Sequence, residues 1–153
     1  MNEATQKSLM AFIERKAADV KAVSVTWFGG EPLMGFSVIE SLSEKIIKLC
    51  EEKEITYSAS IVTNGYLLTK DIAEKLKDLK VSSVQITLDG PQEIHDSRRP
   101  MANGKGTYET IIKNLQEVQG TIPIALRINV DYNNVSAADE VMQTLKGLKL
   151  DKD

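Results

Sequence analysis

Cysteine and histidine are scarce in this chain, and each scarcity closes off a class of function. A single cysteine, Cys50, excludes an internal disulfide. A single histidine, His95, has no histidine partner with which to build a metal site. No apolar run approaches the ~20 residues needed to cross a bilayer, so no membrane partner is expected. Met1-Asn2-Glu3-Ala4 carries neither the charged nor the apolar region of a signal peptide, and a cytoplasmic location is the expectation. A net charge of only -3 provides no basic field to draw in nucleic acid. The cluster Gly104-Lys105-Gly106 lacks the spacing of a phosphate-binding P-loop and is assigned to a turn before a helix. What is present suits about one globular domain: 42% hydrophobic and 27% charged residues, enough for a core and a solvated surface.

Periodicity reads as a helix followed by alternating strands and helices. Leu9, Phe12, Ile13 and Ala17 fall at helical spacing over 5–18, and a strand follows over 23–28. Ser37-Val38-Ile39-Glu40 is a capping box for a helix with the stripe Ile39, Leu42, Ile46 and Leu49. A second strand covers about 55–62, and Thr69 caps a helix carrying Ile72, Leu76 and Leu79. A third strand, 83–88, leads into a long loop reaching about 106, whose length marks it as functional. Thr107 opens a helix with Tyr108, Ile111, Leu115 and Val118; a fourth strand spans 123–130; Ser136 opens a last helix, with Val141, Leu145 and Leu148, that runs to the chain end.

This alternation predicts an α/β fold with parallel strands and right-handed crossovers. Each strand has one apolar face, such as Val23, Val25 and Trp27 or Val84, Ile86 and Leu88, and one largely polar face, such as Ser24 and Thr26 or Gln85, Thr87 and Asp89. A doubly wound sheet buries both faces and would read as continuous apolar runs. Helices on one face only, with a concave polar face opposite, fit an open or partial (β/α) barrel better than a flavodoxin-like sheet.

Candidate binding residues gather at the strand ends. Gly29 and Gly30 let the backbone approach a ligand closely, Pro32 stiffens the exit, and Glu31 adds an acid, so this loop suits a cationic group. Thr87 lies near the C-terminal end of the third strand on the polar face, where parallel folds place ligands. Asn64 sits in a Thr-Asn-Gly turn that serves structure at least as well as binding. Arg127 and Asn129 belong to the polar face of the fourth strand; an arginine buried there would need a carboxylate, from Asp89 or from a ligand. Asp89-Gly90 reads as turn chemistry, and His95 as a packed loop residue or a partner of Asp96. Trp27 and Cys50 read as core.

Taken in order, Trp27-Phe28-Gly29-Gly30-Glu31-Pro32, Thr63-Asn64-Gly65, Thr87-Leu88-Asp89-Gly90-Pro91, His95-Asp96-Ser97-Arg98-Arg99-Pro100 and Gly104-Lys105-Gly106-Thr107-Tyr108 form a set. The set resembles the radical S-adenosylmethionine (radical SAM) enzymes, and within them the branch with a C-terminal SPASM extension. That branch contains anaerobic sulfatase-maturating enzymes and peptide maturases. The resemblance covers nearly the whole chain. It implies a partial (β/α)6 barrel and an oxidoreductase that uses S-adenosylmethionine and a [4Fe-4S] cluster, generates a 5′-deoxyadenosyl radical, and acts on a protein or peptide. It also implies that Gly29, Gly30 and Glu31 receive the cofactor's ammonium. Thr87, where relatives usually carry serine, would contact its ribose or carboxylate. Arg99 would pair with its carboxylate or ribose hydroxyls; Arg98 and Arg99 are both candidates from the residues alone, and the His-Asp-x-x-Arg spacing favours Arg99, with solvation the alternative for Arg98.

One departure matters. The three cysteines of the family's C-x3-C-x2-C cluster loop are absent, and Cys50 falls in the middle of a helix. The resemblance places that loop and the first strand ahead of Met1, and the last strand and SPASM extension beyond Asp153. The expectation is therefore that 1–153 is the central part of a radical SAM barrel, inactive in isolation, with open sheet edges that favour self-association. No catalytic residue and no metal ligand is assigned within it. Two alternatives stand beside this: a non-catalytic α/β binding or interaction domain, and a flavodoxin-like nucleotide-binding domain. The second would need a phosphate-binding loop where Gly29-Gly30-Glu31 places an acid.

Overall fold

A computed structural model describes residues 1–132 and 134–148. Its centre is a four-stranded parallel sheet in the order β1 (Ala22–Trp27), β2 (Thr56–Thr63), β3 (Val81–Thr87), β4 (Ile124–Arg127). Each strand lies beside its predecessor in sequence, the usual outcome where connections are short. The register sets Val25 against Ala59, Ile61 against Val84, and Ile86 against Leu126, so the apolar residues of all four strands share one face. A register shift between Ala59 and Ser60 leaves Ser82 extra, and its hydroxyl donates to the Ala59 carbonyl at 3.0 Å.

Helices α2 (Phe36–Glu52), α3 (Lys70–Asp78) and α5 (Tyr108–Val118) cover that apolar face. Ile39, Ala73, Leu76, Ile111 and Val118 are buried there together with Ile61, Val84 and Ile86. The opposite face keeps Ser24, Thr26 and Ser58 exposed, with Thr26 and Ser60 hydroxyls 3.1 Å apart across the strands. This one-sided layering is the partial-barrel arrangement and sets the doubly wound alternative aside.

Several local expectations change. Helix α2 begins at Phe36 with Gly35 as its N-cap and no side-chain cap, so the Ser37 capping box is not used. The chain enters α2 from a 3-10 turn, Pro32–Gly35, whose own cap is the Glu31 side chain accepting from Leu33 N; that turn occupies the place a capping box would take. The supposed loop over 91–106 contains a helix, α4 (Gln92–Arg98). It has fewer than two turns, too short for an amphipathic period to register. The β4 ladder ends at Arg127, because Asn129 turns aside to bond Asp89. Helix α1 (Glu3–Lys16) buries none of its residues fully, and Phe12 is exposed, since α1 lies at the sheet's edge against α2 rather than over its centre. The last helix, α6 (Ala137–Gly147), buries Val141 and Leu145; it ends one residue short of Leu148, which is its C-cap and was expected on its apolar stripe, and the expectation for 149–153 lies outside the described residues.

Candidate functional site

The C-terminal ends of the strands surround a hollow of about 480 Å³. After β1 it is lined by Phe28, Gly29 and Gly30; at the end of β2 by Val62, Thr63 and Asn64; on β3 by Thr87; and from the far side by Arg99, Arg127 and Asn129. Seven of the eight residues named from the sequence therefore meet around one space. Gly29 holds φ +127°, a conformation closed to most side chains, and a Cβ there would meet nothing within 4 Å. The glycine is needed for the shape of the loop, and it leaves the backbone bare toward the hollow.

Glu31 is the exception. Its carboxylate accepts from Leu33 N at 3.0 Å, Thr63 Oγ1 at 2.7 Å and Asn64 N at 2.8 Å. The side chain thus ties the Gly29-Gly30 loop to the end of β2, and it does not line the hollow. Asn64 turns its Oδ1 to Tyr66 N at 2.9 Å, an Asx turn that leaves its amide nitrogen free of protein partners among the described residues. The Thr87 hydroxyl likewise has no protein partner among the described residues, and the register sets Thr87 directly beside Arg127.

The two arginines of the hollow differ in setting. Arg99 donates from Nε to Asp89 Oδ2 at 2.6 Å. Asp89 is buried, and its other oxygen accepts from Asn129 N at 3.1 Å and Asn129 Nδ2 at 2.9 Å. Burial would raise this carboxyl, but the Arg99 and Asn129 donors together hold it below the ordinary value of 3.8. Arg127 is exposed and makes no ion pair among the described residues. The expectation that Asp89 would serve a buried Arg127 is thus replaced: Asp89 serves Arg99, and Arg127 stands in solvent as an uncompensated cation. Arg98 is not simply solvated either. It grips Asp131 through Nη2 at 2.9 and 2.8 Å and reaches the Asn129 carbonyl from Nη1 at 3.4 Å, bracing the segment after β4.

Beneath Arg99 lies a second network. His95 sits on α4, fully buried, and its Nδ1 accepts from Asp89 N at 3.3 Å. Its Nε2 is 3.1 Å from Thr107 Oγ1, which donates to the Arg99 carbonyl at 2.9 Å. An accepting Nδ1 requires the proton on Nε2, so the ring is neutral here. Burial holds its pKa below 6.5 despite the nearby Asp96 carboxylate. His95 bonds Thr107 rather than Asp96. Asp96 instead accepts from Thr107 N and Tyr108 N at 2.8 and 2.9 Å and caps α5. A Cβ on Gly106 would collide with the Asp96 carboxylate, which explains the second glycine of Gly104-Lys105-Gly106 as a close approach.

Sequence reasoning missed two members of this apparatus, and it offered Asp89 to the wrong arginine. Asn134, whose Nδ2 donates to the Asp89 carbonyl at 2.9 Å, carries no sequence signal. Asn114 had one: it lies on the apolar stripe of α5 between Ile111 and Leu115. Its amide donates to the Gly65 and Tyr66 carbonyls at 2.9 Å each, fixing the turn after β2.

The family model of the Radical SAM superfamily matches residues 3–149. This chain belongs to that superfamily. It is 29% identical over 150 residues to the Fe-coproporphyrin III synthase of Methanosarcina barkeri, covering 97% of this chain and 35% of that enzyme. It is 33% identical over 113 residues to the cysteine-type anaerobic sulfatase-maturating enzyme of Clostridium novyi, covering 73% of this chain and 28% of that one. Among solved structures, native anSMEcpe with bound AdoMet and Kp18Cys peptide superposes with a TM-score of 0.82 at 25% identity, over 96% of this chain and 40% of that protein. The chain thus spans less than half the length of these relatives.

Radical SAM enzymes use S-adenosylmethionine and a [4Fe-4S] cluster. The hollow fits the first: guanidinium donors suit a carboxylate, and unpartnered hydroxyl and amide groups suit a ribose. The residues of this chain do not fit the second. Cys50 is its one cysteine, buried in α2, and burial followed by the charge of Glu51 raises its thiol pKa, the wrong direction for a metal-ligating thiolate. No group of three His, Cys, Asp or Glu side chains among the described residues could hold a metal. No helix among them is long and apolar enough to cross a membrane.

Proposed function

We propose that residues 1–153 form the central, S-adenosylmethionine-binding part of a radical SAM oxidoreductase that modifies a protein or peptide, with the cluster's thiolates supplied by sequence outside this chain. The observation that carries the reading is the meeting of Gly29, Gly30, Asn64, Thr87, Arg99, Arg127 and Asn129 around one polar hollow. In this reading the Gly29-Gly30 backbone receives the cofactor's ammonium, Arg99 its carboxylate, and Thr87 its ribose. Glu31 acts by holding the glycine loop against β2. When bound, S-adenosylmethionine supplies the family's hydrogen-abstracting chemistry; the residues of this chain bind and orient it. A peptidyl substrate is favoured by the surroundings. Phe28 and Met34 after β1, Leu67 after β2, and Val130, Tyr132 and Val135 after β4 are all exposed at the end of the sheet where the hollow opens, a setting suited to an extended chain with apolar side chains. Formylglycine formation on a sulfatase and crosslinking of a peptide are the outcomes that suit this branch.

Titration calorimetry with S-adenosylhomocysteine tests the cofactor site. Saturable, weak binding is expected, because the cluster's share of the anchoring is missing. No heat of binding at millimolar ligand would overturn the reading.

The sheet edge supports a further expectation of self-association. Strand β1 is paired on one side only, and beside it runs an apolar cleft of about 430 Å³ lined by Phe12, Val20, Val23 and Val25. An open edge next to uncovered apolar surface recruits another strand. Sedimentation should reveal dimers that grow with concentration; a pure monomer at high concentration would count against this.

A further inference from the structure

Asp89 is spent on Arg99 in a particular way, and the consequence concerns what the hollow can recognise. A guanidinium offers two edges for forked contacts, one including Nε and one made of the two terminal nitrogens. Asp89 takes Nε alone, at 2.6 Å, and among the described residues neither Nη of Arg99 has a protein partner. The carboxylate cannot swing to a different grip, because its second oxygen is fixed by both Asn129 donors and its own backbone is fixed by His95 and Asn134.

We propose that Asp89 is a positioning residue for carboxylate recognition: by fixing Nε it presents the Nη1–Nη2 edge of Arg99 to the aminocarboxypropyl end of the bound nucleoside. This rests on the cofactor reading above and deepens it. The role predicts selectivity rather than general weakening. A ligand with that carboxylate depends on how Arg99 is held; the same nucleoside without it does not. A buried residue serving only the fold would, on removal, weaken both ligands together.

The experiment is paired titration calorimetry of the full chain with S-adenosylhomocysteine and with 5′-methylthioadenosine, which lacks the amino acid end. Asp89→Asn keeps the shape and removes the charge. Its affinity for S-adenosylhomocysteine should fall about tenfold or more, the cost of one charge-assisted contact, while that for 5′-methylthioadenosine changes less than about threefold. Asp89→Glu keeps the charge but lengthens the arm, so it serves if the first variant fails to fold, and should show the same selective loss. In an Arg99→Ala background neither substitution should alter S-adenosylhomocysteine affinity further. Equal losses for both ligands, or no loss for either, would overturn the role of Asp89 alone. A wild-type chain that binds neither ligand would overturn the cofactor reading and this inference with it.

Discussion

Arg99→Ala is expected to lower the affinity for S-adenosylhomocysteine by about a hundredfold, and Arg98→Ala by no more than about threefold. The two neighbours carry the same charge, so the contrast must come from where each is held. Arg98 is committed to Asp131 and the Asn129 carbonyl and does not line the hollow. Arg99 commits only Nε, leaving two charged N–H groups to a ligand carboxylate. Charge-assisted hydrogen bonds contribute about 1.5–3 kcal/mol each; with the Arg99 side chain 37% exposed, the lower end of that range applies, and two such bonds give roughly a hundredfold. Stability should fall as well, by about 1–2 kcal/mol. The loss for a fully buried pair is larger, but solvent reaches this arginine. Calorimetry on the two variants decides the matter, and equal affinities for both would break the assignment.

Acidification should destabilise the chain in two separate windows, the first governed by His95. The buried ring has a pKa held below 6.5, so above about pH 6.5 it is neutral in both folded and unfolded chains and its bonds to Asp89 N and Thr107 Oγ1 contribute in full. As the pH falls through 6.5 the unfolded chain binds a proton that the folded ring resists, and stability declines until the folded ring protonates. Asp89 behaves with the same sign at lower pH: its contribution is complete above 3.8 and is lost as the pH falls through its depressed folded value. His95→Ala should cost about 2–4 kcal/mol at neutral pH, from a core void and two lost hydrogen bonds. His95→Gln should cost less and abolish the first window. Thermal melts between about pH 8 and pH 5 check this; a wild-type midpoint that stays flat across that range would contradict it.

Much of the site was legible because the strands are read in steps of two. Alternation put Thr87, Arg127 and Asn129 on one face before any coordinates, and glycine at positions 29 and 30 implied a bare loop at a strand end. The hub was legible only in part. Alternation put Asp89 on the polar face as a carboxylate for an arginine, but Asp89 followed by Gly90 also has the local signature of a turn, and nothing nearby in sequence announces that Arg99 pairs with it or that Asn129, 40 residues away, closes on it. Helix α4 was hidden for a different reason: seven residues carry too little periodicity, and its hold on the fold comes from buried His95, a residue that sequence reading treats as polar.

Period-two alternation and strand–helix order by themselves pointed to a parallel sheet covered on one side, because those patterns act over a few residues and fix which side of each strand must be dry; the ordered motif set added the resemblance to the radical SAM family. Only the tertiary structure decided the partners. It gave Asp89 to Arg99 rather than Arg127, turned Glu31 inward to Thr63 and Asn64, and committed Arg98 to Asp131. Hydrogen-bonded ion pairs and amide contacts form only at close range, and their donors and acceptors are interchangeable in sequence, so their pairing is set by which loops the sheet brings within about 3 Å of one another.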